Sequence, residues 1–215
     1  MLTFFQLQYC PVLYINIENL PNLWQKTLQN LPNWRHSKNI NKIIFKHYKL
    51  NNNMIKIEKN ENIALFPQYE FNQILALLGI MLHIKSLSHC INSKQIGFII
   101  NEIGKEKNRF CLANANFIIG NWPEGWQQKL PLEMHINYFC QTGLSFWLET
   151  INQNNVDLIK RLKLRLPKKK IEKNIIIADK YKPVAEILCQ KITKEVNLQC
   201  YHLLKYMIRL SLTMK

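Results

Sequence analysis

Most apolar positions in this chain recur at three- and four-residue spacing, the mark of helices with one buried face. Leu20, Trp24, Leu28 and Leu31 form such a stripe, with Pro21 directly after its first member and Pro32 directly after its last. A preceding helix is expected to start at Pro11, where a missing N–H costs little, and to run through Val12, Leu13, Tyr14, Ile15 and Ile17 to Leu20. Ser37 is read as the N-cap of a third helix, with Ile40, Ile43, Ile44 and Tyr48 on one side and Lys38, Lys42, Lys46 and Lys49 elsewhere. Asn51, Asn52 and Asn53 end it. Residues 54–67 lack a strong period and read as loop or a short extended piece.

From Gln68 to Leu82 the chain is apolar on more than one helix face, which predicts a central helix buried between others. Gly79 lies inside it, where glycine costs about 1 kcal/mol against alanine, and this suits a close helix crossing. Helices are predicted near residues 93–103 and 105–115, separated by Gly104, and again over 132–151. Asn152 to Asn155 read as a polar linker. Residues 156–166 fit two periods. Leu158, Leu162 and Leu166 suit a helix, whereas Leu162, Leu164 and Leu166 alternating with Lys163 and Arg165 suit a strand. Ile175, Ile176 and Ile177 suit a short strand. Pro183 opens a last helical region reaching Ile208.

These elements predict a mainly α fold: one globular helical domain over 1–215, with one or two short strands near residues 160–178 left open. A subdivision into a body, 1–151, and a basic C-terminal part, 156–215, follows from the Asn-rich linker. Between Phe117 and Trp147, Gly and Pro punctuate an aromatic-rich segment holding three of the five tryptophans. Trp122, Pro123, Trp126 and Trp147 read as a structural corner that fixes how helices meet. The alternative is a partly exposed tryptophan anchor for a partner. Trp147, and at least one of Trp122 and Trp126, are expected inside the body.

Charge changes the picture next. Twenty-nine basic residues face 14 acidic ones, a formal net charge of +15. Such a balance suits nucleic acid, anionic lipid or an acidic protein. Only five of the cations are arginines, the better readers of bases and phosphates. The densest run is Lys160, Arg161, Lys163, Arg165, Lys168, Lys169 and Lys170. It lacks aromatic interleaving for base stacking, so an acidic partner protein or a membrane surface ranks above nucleic acid. These seven residues are the candidate partner-binding set. A basic nucleic-acid-binding protein is the alternative function.

Candidate chemistry is thin. The six cysteines form no C-x-x-C pair, and the histidines lack the paired short spacings of zinc ligands. Both are read as core thiols and surface imidazoles. No nucleophile elbow, Walker loop, dinucleotide fingerprint or carboxylate pair stands out, so no catalytic, cofactor or metal residues are assigned. No Lys or Arg precedes Lys26, and the apolar run 74–82 is too short for a membrane span. A reduced cytoplasmic protein is expected.

Several segments, taken in order, resemble one family. They are Phe5 to Pro11 with Leu20-Pro21; Leu23-Trp24 with Leu31 to Trp34; Leu77 to Gly79 with Leu82-His83; Ile118 to Pro123 with Trp126 and Leu130-Pro131; Gln141 to Leu148; and Arg161 to Pro167. The set resembles the K subunit of bacterial type III secretion systems, the SctK/YscK/PscK family, over nearly the whole chain. The resemblance implies a helical, non-catalytic, cytoplasmic adaptor of the injectisome sorting platform. It would sit peripherally beneath the inner-membrane ring. Its implied partners are the cytoplasmic domain of the ring's D protein and the pod protein Q, and through Q the stalk protein L and the ATPase N. The Lys, Asn and Ile load and the basic C-terminal third depart from the family pattern.

Overall fold

Prolines and side-chain caps cut the apolar runs into helices. The structure, a computed structural model, describes residues 1–53, 55–57, 60–90, 92–167 and 175–204. Its α-helices are α1 (Phe4–Tyr9), α2 (Pro11–Tyr14), α3 (Asn22–Gln29), α4 (Lys38–His47), α5 (Gln68–Met81), α6 (Ile84–Ser88), α7 (Ser93–Ile103), α8 (Lys105–Ile119), α9 (Ile136–Thr150), α10 (Val156–Arg165) and α11 (Lys182–Val196). Asn197 interrupts the last of these, and residues 198–204 are again helical. No strand occurs among the described residues. The mainly α expectation therefore stands.

The chain resolves into two compact units. The first comprises Met1–Ile57 and Asn152–Lys170; the second comprises Glu58–Ile151 and Ile171–Lys215. The basic C-terminal third is thereby distributed over both.

In the first unit, α2 packs against α1, α4 and α10. Thr3 and Gln6 make a reciprocal capping box that starts α1 seven residues before the helix expected at Pro11. That expected helix is itself short. α2 ends at Tyr14, and a 3₁₀ turn, Ile17–Asn19, follows in place of a helix to Leu20. Asn16 accounts for the break. Its backbone N–H donates to the Leu164 carbonyl (2.8 Å) and its side chain caps the 3₁₀ turn at Glu18. Ser37 caps α4 through the Ile40 N–H, as its position before the apolar stripe predicted.

The ambiguous segment 156–166 is helical. Asn155 caps it through the Leu158 N–H, and Leu158, Arg161, Leu162 and Arg165 form the buried stripe, with Leu164 also inside. The strand reading placed Lys163 and Arg165 outward, and the burial of Arg165 removes that pattern. Ile175 and Ile177 are buried and Ile176 is exposed, a strand-like alternation without a ladder partner among the described residues.

In the second unit α5 is central, touching α7, α8, α9 and α11. Its run Ile74 to Met81 is buried without interruption. The closest pairing is α5 with α9. A Cβ built on Gly79 would lie 2.0 Å from the Phe139 carbonyl oxygen, and one on Gly143 2.0 Å from that of Leu75. Only glycine lets the two backbones approach this closely. Trp147 closes one side of the crossing. Its indole N–H donates to the Asn60 carbonyl (2.9 Å), the Asn60 amide donates to the Thr150 carbonyl and hydroxyl, and Phe71 meets the ring edge-on at 5.6 Å. The 3₁₀ turn Glu61–Leu65 is buried, so part of the segment expected as loop belongs to the core.

Candidate protein-interaction surfaces

The tryptophan corner lies between α8 and α9. Pro123 to Trp126 make a turn closed by the Trp126 N–H on the Pro123 carbonyl (3.2 Å). Gly125 sits at φ +80°, the left-handed position such a turn demands. Trp126 and Trp147 are buried, and Pro123 with them. Trp126 packs edge-on to Phe146 at 4.9 Å and to Tyr181 at 6.1 Å. The Gln128 N–H donates to the Leu82 carbonyl at the end of α5, the Gln127 amide to that of Met81, and the Ser86 hydroxyl to that of Gln128. Helix α9 begins at Ile136, four residues later than the pattern suggested, because this strap occupies the chain first. Trp122 is half-buried, and its indole N–H is enclosed without an acceptor among the described residues.

The predicted partner-binding run divides sharply. Lys160 and Lys163 are exposed. Lys168, Lys169 and Lys170 lie outside the described residues. Arg161 and Arg165 are buried, at 0% and 4% exposure, and cannot offer a partner their charge. Arg161 instead ties the unit together. Its guanidinium donates to the carbonyls of Gln8 (3.0 and 3.2 Å), Asn51 (2.7 Å) and Asp157 (3.1 Å). Burial lowers the pKa of both arginines, that of Arg165 to about 10, while Tyr14 nearby opposes the shift. Arg35 acts in the same way, donating to Val12 and Ile15 and stacking on Trp34 at 4.3 Å. The rigid fork of arginine suits several carbonyls at once. Charge runs read as outward faces, so sequence reasoning missed this role; the helical spacing of Arg161 and Arg165 with Leu158 and Leu162 was the available signal.

Free positive charge gathers elsewhere. The first unit carries 14 basic and two acidic residues; the second carries 15 and 12. On α4 and the turn after it, Lys38, Lys42, Lys46 and Lys49 stand at i, i+4, i+8 and i+11, all exposed or half-exposed. The ends of α4 and α10 meet at Asn19. Its amide donates to the carbonyls of Lys163, Leu164 and Leu166, and its own carbonyl accepts from the Tyr48 hydroxyl. This places Lys46 and Lys49 at the same end of the unit as Lys163. Lysines also suit the negative ends of both helix dipoles.

An open groove runs beside the lysine row, lined by Tyr9, Asn41, Lys42, Phe45, Lys46 and Asn52. Its floor is fixed. The Asn41 side chain accepts from the Val12 N–H (3.2 Å) and donates to the Tyr9 carbonyl (2.8 Å). Phe5, exposed, packs on Tyr9 with ring centroids 5.0 Å apart.

Among the described residues the titratable groups show no convergent chemistry. No group of three metal-ligating side chains occurs among the described residues. Cys111, Cys189 and Cys200 are buried, and desolvation pushes the Cys111 and Cys189 thiols up to about 12, far from the reactive thiolate range. His89 and His202 are exposed as expected, but His83 is not a surface imidazole. It is fully buried, with Nδ1 at 2.7 Å from the Gly79 carbonyl and Nε2 at 3.3 Å from the Tyr138 hydroxyl. A carbonyl only accepts, so Nδ1 carries the proton and Nε2 accepts. Desolvation lowers its pKa below the usual histidine value. Among the described residues no helix is long and apolar enough to cross a membrane.

Residues 1–205 match the family described as YOP proteins translocation protein K (YscK). The chain belongs to the YscK family. It is 32% identical over 204 residues to Yop proteins translocation protein K of Yersinia pseudotuberculosis serotype I (strain IP32953), covering 95% of this chain and 98% of that protein. The Yersinia enterocolitica protein of the same name matches equally. The fold of the chain is similar to the cytoplasmic domain of the type III secretion sorting-platform protein PscK from P. aeruginosa, with a TM-score of 0.74 and 29% identity over 94% of this chain and 98% of that one. The corner, the α5–α9 crossing and the groove of this YscK-family chain all lie within the matched residues.

Proposed function

We propose that this chain is a non-catalytic adaptor of a type III secretion sorting platform. It works at the cytoplasmic face of the inner membrane and joins the cytoplasmic domain of the ring's D protein to the pod protein Q. Stalk and ATPase proteins connect to it only through Q. The observation that carries this reading is the end-to-end match, in sequence and fold, to a protein named for the sorting platform.

Two features support an adaptor. The two compact units differ strongly in charge, so they offer two chemically distinct surfaces. The buried tryptophans and histidine are engaged in packing and internal hydrogen bonds, which leaves surface contacts to supply the activity.

Pairwise co-purification tests the reading. The chain is expected to retain the cytoplasmic domain of the D protein and Q of its own system separately, and to bridge them when both are present. A strain lacking the chain is expected to stop exporting type III substrates. Retention of neither partner, or unimpaired export, would refute the proposal.

A further inference from the structure

We infer that the groove between α1 and α4 is a docking site for an acidic segment of a partner protein, one that carries apolar anchors between its carboxylates. Three observations meet there. Lys42 and Lys46 line it, within the exposed row Lys38, Lys42, Lys46 and Lys49. Phe5, Tyr9 and Phe45 supply an aromatic strip against it. Carboxylates that could neutralise the row from within are scarce: the whole unit holds only Glu18 and Asp157 against 14 cations.

The chemistry selects the occupant. Specific interfaces need an apolar centre with a charged rim, and this groove has aromatic rings flanked by lysines. Phosphate and base recognition favours arginine forks, but Arg35 and Arg161 are spent on backbone carbonyls and Arg165 is buried. What remains at this groove is lysine, a compact charge that steers an acidic partner without fixing a base edge. The groove is also ready before binding. Asn41 bonds α4 to Val12 and Tyr9, so little ordering is needed on docking. An amphipathic acidic helix lying along α4 would set its carboxylates against the lysines at one-turn spacing and its apolar residues on the aromatic strip.

This inference rests on the adaptor reading only in requiring a protein partner, and its test needs none of the platform proteins. A fluorescent peptide of alternating Glu and Leu at helical spacing is titrated with the full chain, with K42E/K46E, and with K94E/K105E, which reverses exposed lysines of the second unit. Thermal unfolding confirms that each variant folds. The expected result is salt-sensitive binding that weakens by about tenfold or more in K42E/K46E and stays within about twofold in K94E/K105E. Phe45→Ala, read at raised salt, is expected to weaken the peptide further, which pure charge attraction would not do. Equal loss in both double variants would reduce the effect to net charge and overturn the site. So would absence of binding, or tighter binding of a generic DNA duplex or of phosphatidylserine vesicles than of the peptide. Loss of co-purification with the ring or pod protein while peptide binding persists would refute the adaptor reading alone.

Discussion

Replacing Gly143 by alanine sets two effects of opposite sign against each other. Inside an exposed helix the change would stabilise by about 1 kcal/mol. Here the new Cβ would stand 2.0 Å from the Leu75 carbonyl oxygen and 2.9 Å from the Gly79 nitrogen. Ordinary contact begins near 3.4 Å, and the obstructing atoms are helix backbone, so no side chain can swing away. The two helices must part by about 1 Å, which forfeits roughly a quarter to a half of each contact's attraction along the crossing. Phe71, Ile74, Leu78, Phe139 and Trp147 lie in these two helices, each at most 1% exposed. Overpacking of a tight core typically costs about 1–3 kcal/mol, and the rigid backbone obstacle puts this case at the upper end or beyond. After the helix-propensity gain, a net loss of about 2–3 kcal/mol is expected, a large part of a typical folding stability of about 5–15 kcal/mol. Urea unfolding followed by tryptophan fluorescence measures it. Gly97→Ala is the control: a Cβ there meets nothing within 4 Å, so it should stabilise by about 0.5–1 kcal/mol. A G143A protein as stable as the parent would refute the close-crossing argument.

Other perturbations follow from the same geometry. Arg161→Lys keeps a charge but loses the fork, leaving carbonyls of Gln8 and Asn51 short of donors. It should destabilise by about 1–3 kcal/mol in a chemical melt, and a neutral result would mean water replaces the guanidinium. His83 has a folded pKa below its unfolded one, so the unfolded chain takes up the proton first. Stability is therefore complete above the unfolded value, about 6.5, and falls as pH drops below it; melts between about pH 7 and 5 should show this loss reduced in His83→Gln. Reversing Lys168, Lys169 and Lys170 to Glu is expected to weaken one pairwise interaction, with the ring or the pod protein, in a salt-dependent way. Unchanged co-purification with both would count against a role for that run.

Periodicity alone determined the helical class, the buried course of α5, the Ser37 cap and the usefulness of glycine at position 79. These depend on contacts within a few residues, or on a helix being apolar all round. The ordered family segments carried the kinship for the same reason, since they are read along the chain. Tertiary structure decided everything that joins distant residues. Gly79 needed Gly143 as its counterpart, on a helix far along the chain, before the crossing had meaning. Arg161 became an internal clamp because the chain carbonyls of Gln8 and Asn51 converge on it. The lysine row on α4 was visible as a spacing, but its place beside an aromatic groove required α1 to fold against it. A charged side chain's role depends on which backbone groups and which opposite charges come within a few ångströms, and the linear order of residues does not contain those distances.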